Sequence, residues 1–288
     1  MHRALRGFLE PAYLWRHLLI WLCMGFAVGP IIWVISGSFD PANTIIGQRL
    51  IPREPSLANY RELFTNPQHP FPLWMWNTVK ISLITSVLVV SITSLAAYAF
   101  SRFRFYGRRT GLFAILLIQM FPQMLAMVAI YLLLFWLGNY VPALGLNTHA
   151  GLIFVYLGGA MGVNVWLMKG YFDTIPTSLE EAATMDGATP FQAFYKIMLP
   201  LAKPIIAVIF FLTFMGTYSE YLLARVVLSS NERLTMAVGL QVFISDQYAK
   251  RWGVFSAAAL IGAIPIIVLF ALLQKQLVSG LTRGAVKG

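Results

Sequence analysis

The residues whose types and spacing best suit a chemical task lie in one amphiphilic segment, Asp173 to Lys203. Thr177-x-x-Glu180 and Ser178-x-x-Glu181 are overlapping capping boxes, in which a hydroxyl and a carboxylate satisfy the free N–H groups at a helix start. They predict a short helix through Glu181-Ala182-Ala183-Thr184-Met185-Asp186, which Gly187 can close in the left-handed conformation. Thr189-Pro190-Phe191-Gln192 predicts a second helix, with Thr189 as N-cap, Pro190 at its first position, Gln192 at its third, and Pro200 as its end. The product is a helix-turn-helix knob.

Catalysis has few parts to work with. No glycine precedes a lysine, which excludes the G-x-x-x-x-G-K-[ST] phosphate loop and ATP binding by that route. His2, His17, His69 and His149 are scattered, without i,i+4 partners or an H-E-x-x-H pattern. Cys23 is the sole cysteine, so no internal disulfide or thiolate metal cluster can form, and packing is its expected role. The chain is therefore expected not to be an enzyme and to carry no cofactor or metal of its own. Energy for active transport would come from an ion gradient, which needs buried acids, or from a separate ATPase subunit.

The elements that must hold the knob are membrane spans. Of 288 residues 58% are hydrophobic and 11% charged, against about 25% charged in soluble domains. With mean hydropathy at +0.71, the bilayer is the expected solvent and a soluble enzyme is excluded. Apolar runs at about 17–38, 79–100, 111–137, 151–168, 204–226 and 253–273 predict an all-helical protein of six spans, with both termini on one side. That side collects 13 of the 21 basic residues, including the cluster Arg102, Arg104, Arg108 and Arg109, so both termini are expected inside. The net charge of +10 thus speaks for topology, and no nucleic-acid partner is expected. The expected organisation is an inner segment at 1–16, then a first span and outer loop at 17–78. A core of five spans follows at 79–273, including the 173–203 loop, and a tail at 274–288. The proline-rich stretch from Asp40 to Thr78 reads as an ordered outer loop, and Trp74 and Trp76 as markers of the membrane interface.

Glu220, in Thr217-Tyr218-Ser219-Glu220-Tyr221, is the exceptional acid of the spans, at a depth near the outer interface. A structural or gating use is favoured over proton relay.

In Glu181-Ala182-Ala183, Gly187, Ile197, Leu199 and Pro200 every fixed position of the E-A-A-x3-G-x9-I-x-L-P pattern is present. The chain thereby resembles the permease subunits of bacterial ATP-binding-cassette importers. Gln119-Met120-Phe121-Pro122, Gly145-Leu146-Asn147-Thr148-His149, Lys169-Gly170-Tyr171-Phe172 and the segment from Gly280 to Gly288 make it similar, over essentially its whole length, to the smaller permease subunit of maltose/maltodextrin importers. The resemblance implies a type I importer permease fold in the bacterial inner membrane and maltose or maltodextrin as cargo, with trehalose, cyclodextrin or another oligosaccharide as the alternative. It implies four partners: a second, larger permease, a homodimeric cytoplasmic ATPase that holds ATP and Mg, a periplasmic sugar-binding protein, and membrane lipid.

It implies too that the knob docks on the ATPase, Glu181 pairing with a partner arginine while Ala182 and Ala183 permit close approach. The tail, with Gly280, Leu281, Thr282, Gly284, Lys287 and Gly288, would reach between the ATPase subunits. The 227–252 loop, with Ser230, Asn231, Ser245, Asp246, Gln247 and Tyr248, would enter the binding protein. A frayed tail and a plain outer connection are the competing readings.

Gln119 and Gln123 share a helical face beside Pro122, which interrupts the hydrogen-bond ladder. They, with Asn164 in span four, can line a passage or can make interhelical hydrogen bonds, each worth roughly 1 kcal/mol. Gly158-x-x-x-Gly162 and the Ala257-Ala258-Ala259 to Gly262 stretch suit close helix packing at a seam with the second permease. Met120, Met124 and Met127 suit core filling. A gradient-driven transporter is the rival class, disfavoured by the scarcity of acids in the spans.

Overall fold

The computed structural model describes residues 11–245 and 250–285, and their side chains except for 11–14, 123 and 279–285. Helix is the only regular secondary structure among the described residues, which contain no strand. Four helices are long and apolar enough to cross a membrane, and two bent pairs bring the number of spans to as many as six. Residues 1–71 with 240–262 form one compact unit, and 72–239 with 263–288 another.

In the first unit, helix α1 (Pro11–Ser38) carries Pro30 within it and leaves Leu18, Trp21 and Phe26 exposed, a surface suited to lipid. The loop after it is ordered by side chains. Asn59, on the short helix α2 (Ala58–Thr65), is buried and donates to the carbonyls of Ser38 (3.0 Å) and Asp40 (2.9 Å). The Tyr60 hydroxyl reaches Ser38 Oγ at 2.7 Å. Gly253 lies so close to Asn59 that a Cβ there would stand 2.4 Å from its amide nitrogen. Ala257 and Ala258 are fully buried within this chain, so these small residues are used in its own packing and not left for a partner.

In the second unit, α3 (Phe71–Arg102) begins eight residues before the predicted span, because Trp74 belongs to the core. Its ring is fully buried under Gly239, where a Cβ would stand 2.2 Å from the indole, and its N–H is satisfied by the carbonyl of Asn231 at 2.8 Å. Trp74 is thus no interface marker, whereas Trp76 is 62% exposed.

The third apolar run is two helices, α4 (Arg108–Gln119) and α5 (Gln123–Tyr140), bent by 100° across the break. Pro122 lacks an N–H and sits extended at φ −62°, ψ 116°, as the N-cap of α5. The bend turns Met120 and Met124 outward, 78% and 66% exposed, so neither fills the core as expected, and Met127 is half-buried. Helix α6 (His149–Phe172) is a single span.

The knob helices α7 (Ser178–Met185) and α8 (Pro190–Ala193) come next, followed by a wide π-turn over Phe194–Met198 and a last turn at Leu199–Leu201. Pro200 therefore does not stop the chain's helical course. The loosened turn before it makes room for its ring, and the bend of 76° falls at Ala202. Helix α9 (Lys203–Tyr218) stops short of the predicted end at 226, and α10 (Leu222–Val227) restarts beyond Glu220. A short apolar helix, α11 (Met236–Ser245), precedes the long α12 (Trp252–Ala285). Helix α12 runs through Gly280 and Gly284, residues too poor in helix propensity to form a helix alone, because extending an existing helix avoids the cost of nucleation.

Candidate functional site

The knob is built by its turn and its second cap. Gly187 takes φ +86°, a conformation in which a side chain is strained, and its N–H bonds to Thr184 O at 3.0 Å while that of Ala188 bonds to Ala183 O at 2.9 Å. This pair of bonds closes α7 and turns the chain directly into α8. There Thr189 and Gln192 form the predicted capping box, at 3.3 and 2.8 Å. The two boxes predicted at the start of α7 do not form. Thr177 has helical backbone angles instead of the extended ones of an N-cap, so its hydroxyl caps nothing, and Glu180, the expected reciprocal partner, is engaged elsewhere.

Glu180 points inward. One carboxylate oxygen pairs with the Arg102 Nε and the other accepts the Tyr98 hydroxyl at 2.9 Å. Arg102, the last residue of α3, also donates through Nη2 to the carbonyls of Phe172 (3.1 Å) and Ile175 (2.9 Å), at the negative end of α6. Behind these groups Tyr98, Met168, Phe172, Ile175, Phe194, Met198 and Ile209 form a buried cluster, and Leu199 packs against it. Beside it Asp173 accepts from Lys169 (2.5 Å) and Ser101 (2.6 Å). Burial pushes the Asp173 carboxyl upward, but these bonds and the charges of Lys169 and Arg102 outweigh it and hold the group below the usual carboxylate range.

The outward side is open. Glu181 and Ala182 are exposed, Ala183 and Ile197 half-buried, and Pro200 exposed. Met185, Phe191 and Tyr195 of the same knob are 89%, 68% and 64% exposed, so it presents apolar side chains as well as a surface carboxylate. The sequence reading found the outward residues and missed Tyr98, Arg102 and Glu180. A signal was present: adjacent residues on a helix point about 100° apart, so Glu180 and Glu181 cannot serve one partner.

The predicted pathway residues are only partly brought together. Gln119 donates to Gly159 O at 2.7 Å and lies across Gly162, where a Cβ would stand 2.3 Å from its Cγ. Gln119 and Gly162 are therefore used to pack span three on span four within this chain, not at a seam with another subunit. Asn164 bonds to Ala160 O at 2.7 Å and Thr213 Oγ1 at 3.4 Å, beside a cavity of about 410 Å³. Thr85, Tyr156, Thr217 and Glu220 also line it, and Thr85 Oγ1 has no hydrogen-bond partner among the described residues. The side chain of Gln123 lies outside the described residues.

The first half of the 227–252 loop is braced rather than free. Asn147, itself in the left-handed region at φ 56°, accepts from the backbone N–H of Ser229 and Ser230 and donates to Ser230 Oγ at 2.5 Å. Asn77 holds the carbonyls of Glu232 (2.9 Å) and Leu234 (3.1 Å), and Asn231 gives its carbonyl to Trp74. Ser245 is exposed at the end of α11, while Asp246, Gln247 and Tyr248 lie outside the described residues. So do Lys287, Gly288 and the side chains of Leu281 and Thr282, while the backbone of these two and of Gly280 and Gly284 belongs to α12.

Residues 90–283 match the family described as binding-protein-dependent transport system inner membrane component. The maltose/maltodextrin transport system permease protein MalG of Vibrio vulnificus (strain YJ016) is 46% identical over 283 residues, 94% of this chain and 95% of that one. Its counterpart in Photorhabdus laumondii is 44% identical over 289 residues, 95% and 97% of the two chains. Among solved structures, a chain of a bacterial ABC transporter involved in the import of the acidic polysaccharide alginate superposes with a TM-score of 0.74 at 27% identity, covering 91% of this chain and 95% of that one. With two thirds of its length matched to that family and a relative nearly half identical over 95% of its own chain, the chain belongs to the binding-protein-dependent transport system inner membrane components.

Proposed function

We propose that this chain is the permease subunit of an ATP-binding-cassette importer that moves maltose and maltodextrins across the bacterial inner membrane, powered by a separate ATPase. The identity of 46% to a maltose/maltodextrin permease along nearly the whole length supports the cargo, and the family supports the inner membrane and dependence on a binding protein. The full assembly comprises a second, larger permease, two copies of the ATPase and a periplasmic sugar-binding protein. Both termini and the knob face the cytoplasm, in keeping with the basic cluster at Arg102 to Arg109. This chain is not itself an enzyme, and ATP and Mg bind to the partner. The tail beyond Gly280 reaches toward the ATPase, and the 227–252 loop toward the binding protein.

The observation that carries the reading is an exposed Glu181 on a two-helix knob that also exposes Met185, Phe191 and Tyr195 and is fastened to the ends of the spans. An exposed carboxylate on an element with exposed apolar side chains suits a cleft that offers an arginine. Closure of the ATPase pair moves the knob, and the knob moves the spans. Glu181→Lys tests this in the assembled complex. Membrane insertion should persist while ATP hydrolysis and sugar uptake become uncoupled, and coupling equal to the native chain would overturn the docking role.

A further inference from the structure

Docking explains how the knob is pushed but leaves open how its motion reaches the spans. A short segment hung between two helices can pivot on its ends, and force delivered to it is then lost in rotation. Continuity of the backbone does not prevent this here, because the chain bends by 76° at Ala202 and turns again after Phe172. The apolar cluster beneath the knob resists separation, yet apolar contacts have little directional preference.

The directional element is Arg102. It ends α3, and its guanidinium makes bonds on three sides: Nε to Glu180 in α7, Nη2 to the carbonyls of Phe172, at the end of α6, and Ile175, just beyond it, and Nη1 to Ser101 Oγ at 2.9 Å. The Met198 sulfur lies 3.7 Å from the same Nη2, so the π-turn after α8 touches it as well. Glu180 is held from its other oxygen by Tyr98, one turn back along α3, whose hydroxyl also approaches Pro190 O at 3.3 Å. The two charged side chains are only 11% and 13% exposed, so water competes weakly for their bonds. A planar, fixed fork of donors is the side chain suited to tie three elements at set angles, which an ammonium on a flexible stem does not do.

We infer that Arg102 and Glu180 are positioning residues that fix the knob to span two, so that displacement of the knob is transmitted to the spans as a rigid-body movement. This rests on the transport reading above. Glu181 then faces the ATPase and Glu180 faces the chain's own interior, adjacent carboxylates with separate tasks. Removing the link should leave a complex that assembles and hydrolyses ATP but moves its spans poorly.

The test is the number of sugar molecules transported per ATP in the reconstituted complex, with the native chain, Arg102→Ala, Arg102→Lys, Glu180→Gln and the Arg102→Ala/Glu180→Gln double variant. Arg102→Ala and Glu180→Gln should each lower sugar per ATP by about tenfold, since a factor of ten corresponds to about 1.4 kcal/mol of coupling. The double variant should be no worse than Arg102→Ala, because both act through one link, and Arg102→Lys should restore it only in part. A second measurement covers a change in folding: the Arg102→Cys/Glu180→Cys variant, joined by a short bismaleimide, should recover sugar per ATP relative to the same variant left uncrosslinked. Sugar per ATP within twofold of native in both single variants, additive losses in the double, or no gain on crosslinking would each overturn the link. Loss of the ATPase from the Glu180→Gln complex would also count against it, since that carboxylate faces inward. A native chain that does not assemble with any ATPase would instead refute the transport reading itself.

Discussion

The Glu220 carboxylate accepts the Tyr156 hydroxyl at 2.6 Å and also the backbone N–H groups of Leu223 (2.7 Å) and Ala224 (2.9 Å). One acidic side chain thus caps α10 and ties it to span four. The bonds replace the hydration that a carboxylate near the membrane would lose, which explains why an acid is tolerated there.

Replacing Glu220 by alanine removes the cap and leaves the hydroxyl of Tyr156, a buried residue, without its acceptor. The expected cost is about 2–4 kcal/mol from the two losses together. Glu220→Gln, which keeps an acceptor, should cost less than half as much. Denaturation in detergent checks both. Unchanged stability in Glu220→Ala together with loss of uptake would point back to a proton relay.

The knob offers a contrast between a cap that exists and caps that do not. Thr189→Ala should loosen the turn by about 1 kcal/mol, whereas Thr177→Ala should be nearly neutral because its hydroxyl caps nothing. Gly187→Val should cost at least 1–2 kcal/mol, since φ +86° is unfavourable for any residue with a Cβ. Hydrogen exchange over residues 177–193 gives all three values.

How far the sequence was legible can be judged from these same residues. Gly187, the Thr189–Gln192 box and the exposed Glu181 are local features, set by neighbours within a few positions. Glu180 is not: its carboxylate chose Arg102, 78 positions away, over the cap three residues before it. Trp74 is illegible in the sequence for the same reason, since the carbonyl that satisfies it lies 157 positions on. The run of apolar residues at 111–137 revealed a span but not its break, because hydropathy is blind to the 100° turn that Pro122 permits. The end of α9 before Glu220 was hidden likewise, as Tyr218 and Tyr221 suit either side of a helix terminus.

Gly162→Ala should displace Gln119. The added methyl would meet Gln119 Cγ and Cδ at 2.3 and 2.7 Å, atoms near the root of the side chain that cannot swing clear without breaking the bond to Gly159. A loss of about 1–3 kcal/mol is expected. Gln119→Ala in the same background should relieve part of it, and a double-mutant cycle measures the recovery.

His69 gives the first unit a pH dependence. Burial, with the Arg251 charge next and Glu62 opposing, holds its imidazole below 6.5. The unfolded chain therefore takes a proton at higher pH than the folded one, so stability declines as pH falls through 6.5 and levels off below the folded value. Phe243 lies edge-on to the ring at 5.3 Å. His69→Phe should flatten the dependence between pH 7 and 5, read as the thermal midpoint against pH.

The central claim is that this chain couples a separate ATPase to sugar uptake. It is tested most directly by ATP hydrolysis in liposomes holding this chain with its second permease and ATPase, with binding protein loaded with maltose, maltotriose or trehalose. Hydrolysis stimulated by the maltodextrin-loaded protein, and lost in Glu181→Lys, is the predicted result. No stimulation by any load, or stimulation unaffected by Glu181→Lys, would contradict it.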